Sequence, residues 1–332
     1  MSYNIEAIIK FILSGQGSDG GFATYEKYPV VEPNGDWRLL PDPSPFIAAN
    51  ILFSLMQAKS PATNDAVKKG CEFLLSRMES GGYWRFWPYK SRQHPVPLDL
   101  DDTGVCSYVL TANGNTLTNK KALLNNCDNA GYFYTWLIPT WRNLLLHPLT
   151  STGFARACLQ ALPTRMLEHY TYTDQEPAVA ANALLYLREN KATQKAINTL
   201  VKVVEKGNFG MQFYHDEIMV YYHIARAYES GINGLAPLRD IICGHIEQRF
   251  EKNIESADEL LRAMAAIALL CYDSNKGLAG RLIDSVGQSA YPDNWKILPY
   301  FSSKNRNFLA GSPQFTAAVF LEASIRLNAK QR

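Results

Sequence analysis

The chain has 332 residues, of which 47% are hydrophobic, so it is long enough to bury a sizeable core. Its 33 lysines and arginines nearly balance its 31 aspartates and glutamates, leaving a formal charge of +2. Binding to a phosphate backbone requires a clear positive excess, so this balance argues against a nucleic-acid partner.

The N-terminal segment, residues 1–16, carries Glu6 and has no long apolar run, so we expect no signal peptide. No stretch of about 18 apolar residues suggests a transmembrane segment. The 6 cysteines form no Cys-x-x-Cys pair, so we expect no bound metal. Several cysteines fall in apolar helical stretches, as in a reducing compartment, and we expect a cytoplasmic protein.

Helical periodicity recurs from end to end, and strand patterns are scarce. In chain order, the segments that are apolar or small on every side are 46–57, 103–111, 177–187, 218–227, 260–270 and 315–325. Segments with one charged face alternate with them, at 5–13, 63–78, 191–206, 235–250 and 276–286. Helices that are apolar all round are buried, whereas helices with a charged face are peripheral. The alternation predicts an all-α (α/α)6 toroid, with parallel inner helices inside an outer helical ring.

The region between the second and third apolar segments is less regular. Residues 113–129 are polar, whereas 133–146 and 154–162 are apolar. We interpret this region as one outer helix plus an insertion, around 113–165. No Gly/Ser/Pro-rich linker divides the chain, so we predict a single domain over 1–332.

Inner helices that all run in one direction start at the same mouth of the toroid, where their dipoles converge. One acidic residue at such a start is explained by capping. Asp99, Asp101 and Asp102 exceed that need, because they place three carboxyls beside the buried stretch 103–110. Crowded carboxyls repel, so at least one should keep its proton to a higher pH than usual. Such an acid is suited to protonating an alkene or epoxide, which starts a carbocation cyclisation.

The segment Asp99-Leu-Asp-Asp-Thr103 resembles the Asp-x-Asp-Asp-Thr motif of class II terpene cyclases, the group that contains the squalene–hopene cyclases. The resemblance implies protonation-initiated cyclisation of a linear polyprenyl substrate, an isomerase or lyase type of reaction. It also implies that Asp101 is the general acid and that Asp99 and Asp102 support it. Gly104 follows the motif where many relatives have alanine, a change that we expect to widen the cavity.

Other segments are similar to the superfamily of cyclases and protein prenyltransferases. Residues 16–22 resemble the Gln…Gly-x-Trp/Phe repeat that ties outer helices to turns in that superfamily. Residues 79–84 resemble a degenerate second copy, and 207–210 a fragment of a third. Residues 311–323 resemble the last inner helix. The resemblance therefore covers most of the chain and is weakest over 113–165.

Aromatic side chains near the predicted mouth are candidates for stabilising carbocations, because ring faces attract cations without attacking them. The candidates are Trp84, Phe86, Trp87, Tyr89, Tyr170 and Tyr214. Core packing or loop anchoring is the alternative role for each. His169 and His215 are candidates for the partner that orients and reprotonates the acid, with a structural hydrogen bond as the alternative.

Four cations fall in loops that lead toward the same mouth: Arg38, Arg85, Lys90 and Arg92. They are candidates for binding a diphosphate through charge-assisted hydrogen bonds, and the alternative is that they are solvated loop charges. Proton-initiated chemistry requires no cofactor. We expect a need for Mg²⁺ only if the substrate is a diphosphate.

Two related enzyme classes find no support in the sequence. Protein prenyltransferases bind zinc through an Asp, a Cys and a His, and the pair Asp240 and Cys243 lies in an outer helix with the wrong spacing. Class I ionisation of diphosphates needs an Asp-Asp-x-x-Asp site, which does not occur. A non-catalytic protein that binds lipids or peptides on this scaffold stays open as the alternative.

Class II cyclases normally pair this domain with a second toroid, and only one fits in this chain. Either insertions or a second subunit close the cavity, or the substrate differs, or the activity has been lost, and a homo-oligomer stays open. Peripheral membrane contact also stays open, although no amphipathic Lys/Arg-rich segment stands out.

Overall fold

The structure is a computed structural model, which describes residues 3–87, 96–137, 171, 173–207, 209–304 and 306–330. The described helices in chain order are α1 (Ile5–Ser14), α2 (Pro45–Ala58), α3 (Pro61–Arg77), α4 (Leu100–Ala112), α5 (Lys120–Leu124), α6 (Pro177–Leu187), α7 (Gln194–Glu205), α8 (Glu217–Glu229), α9 (Arg239–Phe250), α10 (Glu259–Cys271), α11 (Lys276–Ala290) and α12 (Pro313–Lys330). A 3₁₀ helix over Asn233–Leu238 leads directly into α9. None of these described helices is long and apolar enough to span a membrane.

Six helices form a closed inner ring. Helices α2, α4, α6, α8 and α10 each pack against the next even-numbered helix, and α12 closes the ring by packing against α2. Every residue of α6 and α10 is buried. The outer helix α7 instead buries one face alone, formed by Ala196, Ile197, Leu200 and Val204. This difference in burial confirms the predicted all-α toroid, because apolarity on every side places a helix in the inner ring.

The inner helices run in the same direction. Ser54 of α2 donates a hydrogen bond to Glu322 of α12 at 2.9 Å, and the two residues lie equally far from the starts of their helices. The N-cap is acidic in four of the six, and in three of these, Asp99, Asp216 and Asp258, the side chain accepts from backbone N–H groups. The polar segments before the inner helices are therefore partly caps and all lie at one mouth.

Gly104 sets the distance between α4 and α6. A Cβ atom at this position would lie 2.9 Å from the Asn182 carbonyl oxygen and 3.0 Å from its carbonyl carbon. The glycine therefore faces a neighbouring helix backbone, and the expectation that it widens the cavity is wrong. It allows a close approach of two inner helices, as glycine does where two backbones pack together.

A small antiparallel sheet accompanies the helical ring, in the order β2–β1–β4–β3. Its strands are β1 (Tyr25–Lys27), β2 (Arg38–Leu39), β3 (Pro299–Ser302) and β4 (Leu309–Gly311). The pairing aligns Tyr25 with both Leu39 and Gly311, so the sheet connects the loop before α2 with the loop before α12. The sequence does not indicate this sheet, because strands of two to four residues are too short for an alternating pattern.

Three turns share one hydrogen-bond pattern, at 17–22, 79–84 and 128–133. In each, the first N–H donates to the carbonyl four residues on, at 2.8 to 3.0 Å, and the fourth residue is a glycine with φ between 81° and 89°. In the first turn, Gln16 Nε2 donates to the Ala66 carbonyl at 2.9 Å and so ties the turn to α3. The third turn was not foreseen, because it has a single glycine. The fragment at 207–210 lies partly outside the described residues.

The irregular region after α4 contains α5 and the third turn. Among described residues, the predicted outer helix is thus reduced to the five residues of α5. Residues 138–170, which include most of the predicted insertion, lie outside the described part of the chain.

Candidate active site

The acidic cluster lies at the start of α4 and is almost completely buried, with Asp99, Asp101 and Asp102 exposed by 4%, 3% and 2%. Asp99 is the N-cap. Its Oδ1 accepts hydrogen bonds from the N–H of Asp101 at 2.6 Å and of Asp102 at 3.4 Å. Capping therefore uses one carboxyl of the three, and the other two are available for another role.

Asp101 receives a hydrogen bond on each carboxyl oxygen. The Tyr214 hydroxyl donates to Oδ2 at 2.5 Å, and the Asn182 amide Nδ2 donates to Oδ1 at 2.6 Å. Tyr214 precedes α8 and Asn182 lies on α6, so three consecutive inner elements meet at this carboxyl. Hydrogen bonds of this kind stabilise the anion that remains when Asp101 gives up its proton.

Burial raises the pKa of all three aspartates, but to different extents. For Asp101, burial raises the pKa to about 6, and the hydrogen bonds from Tyr214 and Asn182 oppose this rise. Burial, and then repulsion from Asp101, raise the pKa of Asp99 well above its usual range. Burial, and then repulsion from Asp99, do the same for Asp102. Asp101 therefore differs from its neighbours in that hydrogen bonds from Tyr214 and Asn182 lower its pKa, whereas repulsion between carboxyls raises theirs.

A hydrogen-bonded chain continues from Asp101 into the toroid. Asn182 Oδ1 lies 3.0 Å from Nδ1 of His223, and Nε2 of His223 lies 3.0 Å from the Tyr300 hydroxyl. Because the Asn182 amide nitrogen donates to Asp101, its oxygen must accept, so His223 carries its proton on Nδ1. Tyr300 then donates to Nε2. Burial, and second the charge of Arg226, lower the pKa of His223 well below its usual value, so the ring is neutral.

Glu176 fixes the backbone that carries Tyr214. Its carboxyl oxygens accept from the N–H groups of Gln212, Phe213 and Tyr214, at 3.1 to 3.3 Å. Burial raises the pKa of Glu176 to about 8 despite these three donors, and the charge of Asp101 adds to the rise. The site therefore contains four buried carboxyls, of which Glu176 positions the hydroxyl that contacts Asp101.

A row of aromatic rings includes Phe213, the residue that precedes Tyr214. Adjacent ring centroids along this row are 4.7 to 5.8 Å apart, in the order Trp136, Phe213, Phe301, Phe86, Trp87, Phe308. Phe301 comes from β3, so the unforeseen sheet contributes a central member. Aromatic faces in such a row carry negative potential, which favours a cation nearby.

The structure places the predicted aromatic residues in three different settings. Phe86 and Trp87 belong to the row, whereas Tyr214 contacts the acid directly. Trp84 is a loop anchor, because its Nε1 donates to the Leu74 carbonyl at 2.8 Å and its N–H to Thr103 Oγ1 at 3.1 Å. Tyr89 and Tyr170 lie outside the described residues.

The predicted histidine partners differ from the residues found at the acid. His169 lies outside the described residues, and no contact in the described part of the chain joins His215 to Asp101. Burial lowers the pKa of His215. Asn182 contacts the acid and His223 contacts Asn182, and the sequence contains an indication of both. Each is a polar residue in the middle of an apolar helix, where a buried polar group needs a hydrogen-bond partner.

Of the four candidates for diphosphate binding, the two that the structure describes are both paired with glutamates. Arg38 pairs with Glu32 at the surface. Arg85 is buried, and its Nη2 donates to Glu79 at 2.7 Å while its Nη1 donates to the Val96 carbonyl at 2.7 Å. Lys90 and Arg92 lie outside the described residues, so a diphosphate site stays a prediction. Within the residues that the structure describes, no group of three or more His, Cys, Asp or Glu residues could bind a metal.

No protein-family model and no curated protein matches the sequence. Solved structures nevertheless share its fold. A protein from Actinoplanes matches with a TM-score of 0.71 and 14% identity, over 98% of both chains. Type II terpene cyclase MstE from Scytonema matches with a TM-score of 0.68 and 14% identity, over 99% of this chain and 97% of that chain.

A variant of MstE in complex with geranylgeranyl dihydroxybenzoate gives a similar match, with a TM-score of 0.69 and 13% identity. The ent-copalyl diphosphate synthase from Streptomyces platensis matches with a TM-score of 0.52 and 12% identity, over 86% of this chain and 50% of that chain. Identities this low establish the fold and no more. This chain therefore has the α/α toroid fold of the class II terpene cyclases.

Proposed function

We propose that this protein is a protonation-initiated isoprenoid cyclase, that Asp101 is its general acid, and that its substrate is a linear polyprenyl compound. One observation carries the proposal: Asp101 is a buried carboxyl with a hydrogen-bond donor on each oxygen. An ordinary acid is too weak to protonate an alkene. Stabilising the anion in advance strengthens the acid, and burial keeps water away from the cation that forms.

The reaction begins when the proton of Asp101 passes to one carbon of an alkene. The π electrons form the new C–H bond, and the electrons of the O–H bond remain on the carboxylate, where Tyr214 and Asn182 stabilise them. The resulting cation is attacked by successive alkenes of the same chain, which form the rings. Loss of a proton from the last cation gives a product isomeric with the substrate, and a proton returned to Asp101 completes the cycle.

The neighbouring groups support the assignment of Asp101, among the three aspartates, as the general acid. The N–H groups at the start of α4 occupy the carboxyl of Asp99, and the second oxygen of Asp102 has no described hydrogen-bond partner. The aromatic row includes Phe213, which precedes Tyr214, and supplies ring faces for the cations. The likeness to type II terpene cyclase MstE, which covers 97% of that chain, also supports the proposal.

The test is turnover with a substrate panel. We would incubate the protein with geranylgeranyl dihydroxybenzoate, farnesyl and geranylgeranyl diphosphates, squalene and oxidosqualene, each with and without Mg²⁺, and identify products by mass spectrometry. We expect a cyclised product isomeric with one of these substrates. In Asp101→Asn we expect the rate to fall by at least about 10³-fold, because the transferred proton is absent.

The matched control is Asp258→Asn. This residue is also an N-cap of an inner helix, and asparagine caps as well as aspartate does. We expect this variant to retain activity. No product from any substrate, with both variants as folded as the wild type, would contradict the proposal and favour a binding protein on the same scaffold.

A further inference from the structure

The side-chain amide of Asn182 has two orientations with opposite consequences for Asp101. In the observed one, the amide nitrogen donates to Asp101 and the amide oxygen accepts from His223. After a flip of the amide, its oxygen would face Asp101 and accept the carboxyl proton. A proton bonded to that oxygen would be held by the protein and withheld from a substrate.

His223 opposes this flip. A flipped amide would point its two N–H groups at the Nδ1–H of His223, so two donors would face each other in a dry site. His223 can accept instead only by moving its proton to Nε2, and the Tyr300 hydroxyl must then turn from donor to acceptor, so the flip requires three groups to change together. The ring of Tyr300 is held by packing, because its centroid lies 4.1 Å from that of Phe315 and 5.4 Å from that of Phe46.

Arg226 lies one turn further along α8 and adds to this control. Its guanidinium is buried, donates to Asn50 Oδ1 at 3.0 Å, and lies 3.6 Å from the carboxylate of Glu322. A permanent positive charge at this position opposes a second positive charge on His223. The imidazole therefore stays neutral, with one donor and one acceptor.

We propose that His223 is a positioning residue that acts through Asn182 to deny the proton of Asp101 an acceptor within the protein. The two oxygens of Asp101 then receive hydrogen bonds from Asn182 and Tyr214. The carboxyl proton is therefore available to a substrate. This inference rests on the proposed function in so far as Asp101 acts as the acid. The orientation of Asn182 and its effect on Asp101 are properties of the protein without substrate.

Other ionisable groups face these residues, and all of them except Tyr300 are common to all the variants below. Around Asp101 they are Asp99, Asp102 and Cys106 from α4, Glu176 from the start of α6, Tyr214 from the start of α8, and Tyr300 from β3. Around His223 they are Arg226, Tyr222, Tyr214 and Tyr300.

The experiment measures the pKa of Asp101 directly, by ¹³C NMR of the aspartate carboxyl carbons, with Asp101→Asn to assign the signal. His223→Leu removes the Nδ1–H donor, whereas His223→Asn retains an N–H close to the same position. We expect the leucine variant to raise the pKa of Asp101 by about one to two units, because the flipped amide stabilises the protonated acid. We expect the asparagine variant to leave it within about half a unit.

Tyr300→Phe provides a second, milder test. It keeps the ring that packs on Phe46 and Phe315 but removes the donor to Nε2, so His223 can change tautomer and release the amide. We expect the pKa of Asp101 to rise by about half a unit or more. If His223→Leu does not fold, this variant decides. The ¹⁵N signals of His223 should report the Nδ1–H form in the wild type.

An unchanged pKa of Asp101 in folded His223→Leu, or an Nε2–H form of His223 in the wild type, would overturn the proposal. These measurements need no turnover, so the two proposals fail separately. A shifted pKa without any cyclised product would support the role of His223 and contradict the cyclase. A cyclised product that depends on Asp101, together with an unshifted pKa of Asp101 in His223→Leu, would support the cyclase and contradict the role of His223.

Discussion

Asp101 is subject to opposing influences on its acidity. Burial raises its pKa to about 6, whereas the donors Tyr214 and Asn182 lower it. An acid for alkene protonation must carry its proton before the reaction and release it readily during the reaction. Burial meets the first requirement and the two donors meet the second. Glu176 contributes indirectly, because it fixes the backbone from Gln212 to Tyr214.

Tyr214→Phe tests the contribution of one donor. We expect kcat for cyclisation to fall by about 10- to 100-fold, the usual effect of losing a hydrogen bond to a charged group. The active form is the protonated acid, so the rate falls as the pH rises through the pKa of Asp101. Without the donor that pKa is higher, and we expect the fall to move to higher pH in a measured pH–rate profile.

Tyr221→Phe is the control for this change. Tyr221 is on α8, and its hydroxyl contacts His245 at 2.5 Å, on a different network from Asp101. We expect its kcat and pH–rate profile to match the wild type. Equal losses in the two variants would show that any buried tyrosine hydroxyl matters, and would contradict a specific role for Tyr214.

At the scale of elements, the site depends on how closely α4 and α6 approach. Asp101 and Gly104 lie one turn apart on α4, and both face Asn182 of α6. The hydrogen bond that tunes the acid and the close backbone contact therefore involve the same residue. A change in the spacing of the two helices is expected to alter the acid as well as the stability.

Gly104→Ala tests this dependence. The new Cβ would meet backbone atoms at 2.9 and 3.0 Å, so the helices must separate. We expect the free energy of unfolding to fall by about 1–3 kcal/mol and cyclisation to slow, as measured by denaturant unfolding and by steady-state turnover. Gly280→Ala on α11 is the control. Its Cβ meets no described atom within 4 Å, and we expect it to be neutral or to stabilise by up to about 1 kcal/mol.

At the scale of the whole molecule, the ring holds charged groups in its interior. Arg226 of α8 contacts Asn50 of α2, the helix opposite to it in the ring of six. Glu322 of α12 is also buried in the interior, where it accepts hydrogen bonds from Ser54 and from Arg326. Four buried carboxyls lie nearer the mouth. The toroid thus holds ionisable groups in a dry interior, and its stability is linked to pH.

The linkage predicts lower stability at alkaline pH. A carboxyl whose pKa is raised by folding stabilises the protein below its unfolded pKa, and this stabilisation is lost as the pH rises through its folded pKa. The folded pKa values of about 6 for Asp101 and about 8 for Glu176 place this loss across neutral pH. The lowered pKa of His223 acts in the opposite direction, but only below about pH 6.5.

Between pH 6.5 and 8 we therefore expect the free energy of unfolding to fall by about 2 kcal/mol, as measured by denaturant titration. In Glu176→Gln this slope should be smaller, because glutamine still accepts from the three N–H groups and does not ionise. Stability that is constant or rises over this interval would contradict the raised pKa values.

The sequence by itself determined the helical architecture. Helices that are apolar on every side have to be buried, so the alternation of segments predicted an inner and an outer ring before any coordinates. The inner helix Pro177–Leu187 was predicted to the residue. The cluster from Asp99 to Asp102 also stood out locally, because three carboxyls exceed the needs of one helix start.

Only the tertiary structure decided which residues surround the acid. Asn182, Tyr214 and Tyr300 are 81, 113 and 199 residues from Asp101 in sequence, and ring closure with the small sheet brings them together. Local periodicity reports which face of a helix is buried. It does not report which other helix packs against that face. The acidity of Asp101 depends on this packing, because burial and donors from other elements set its pKa.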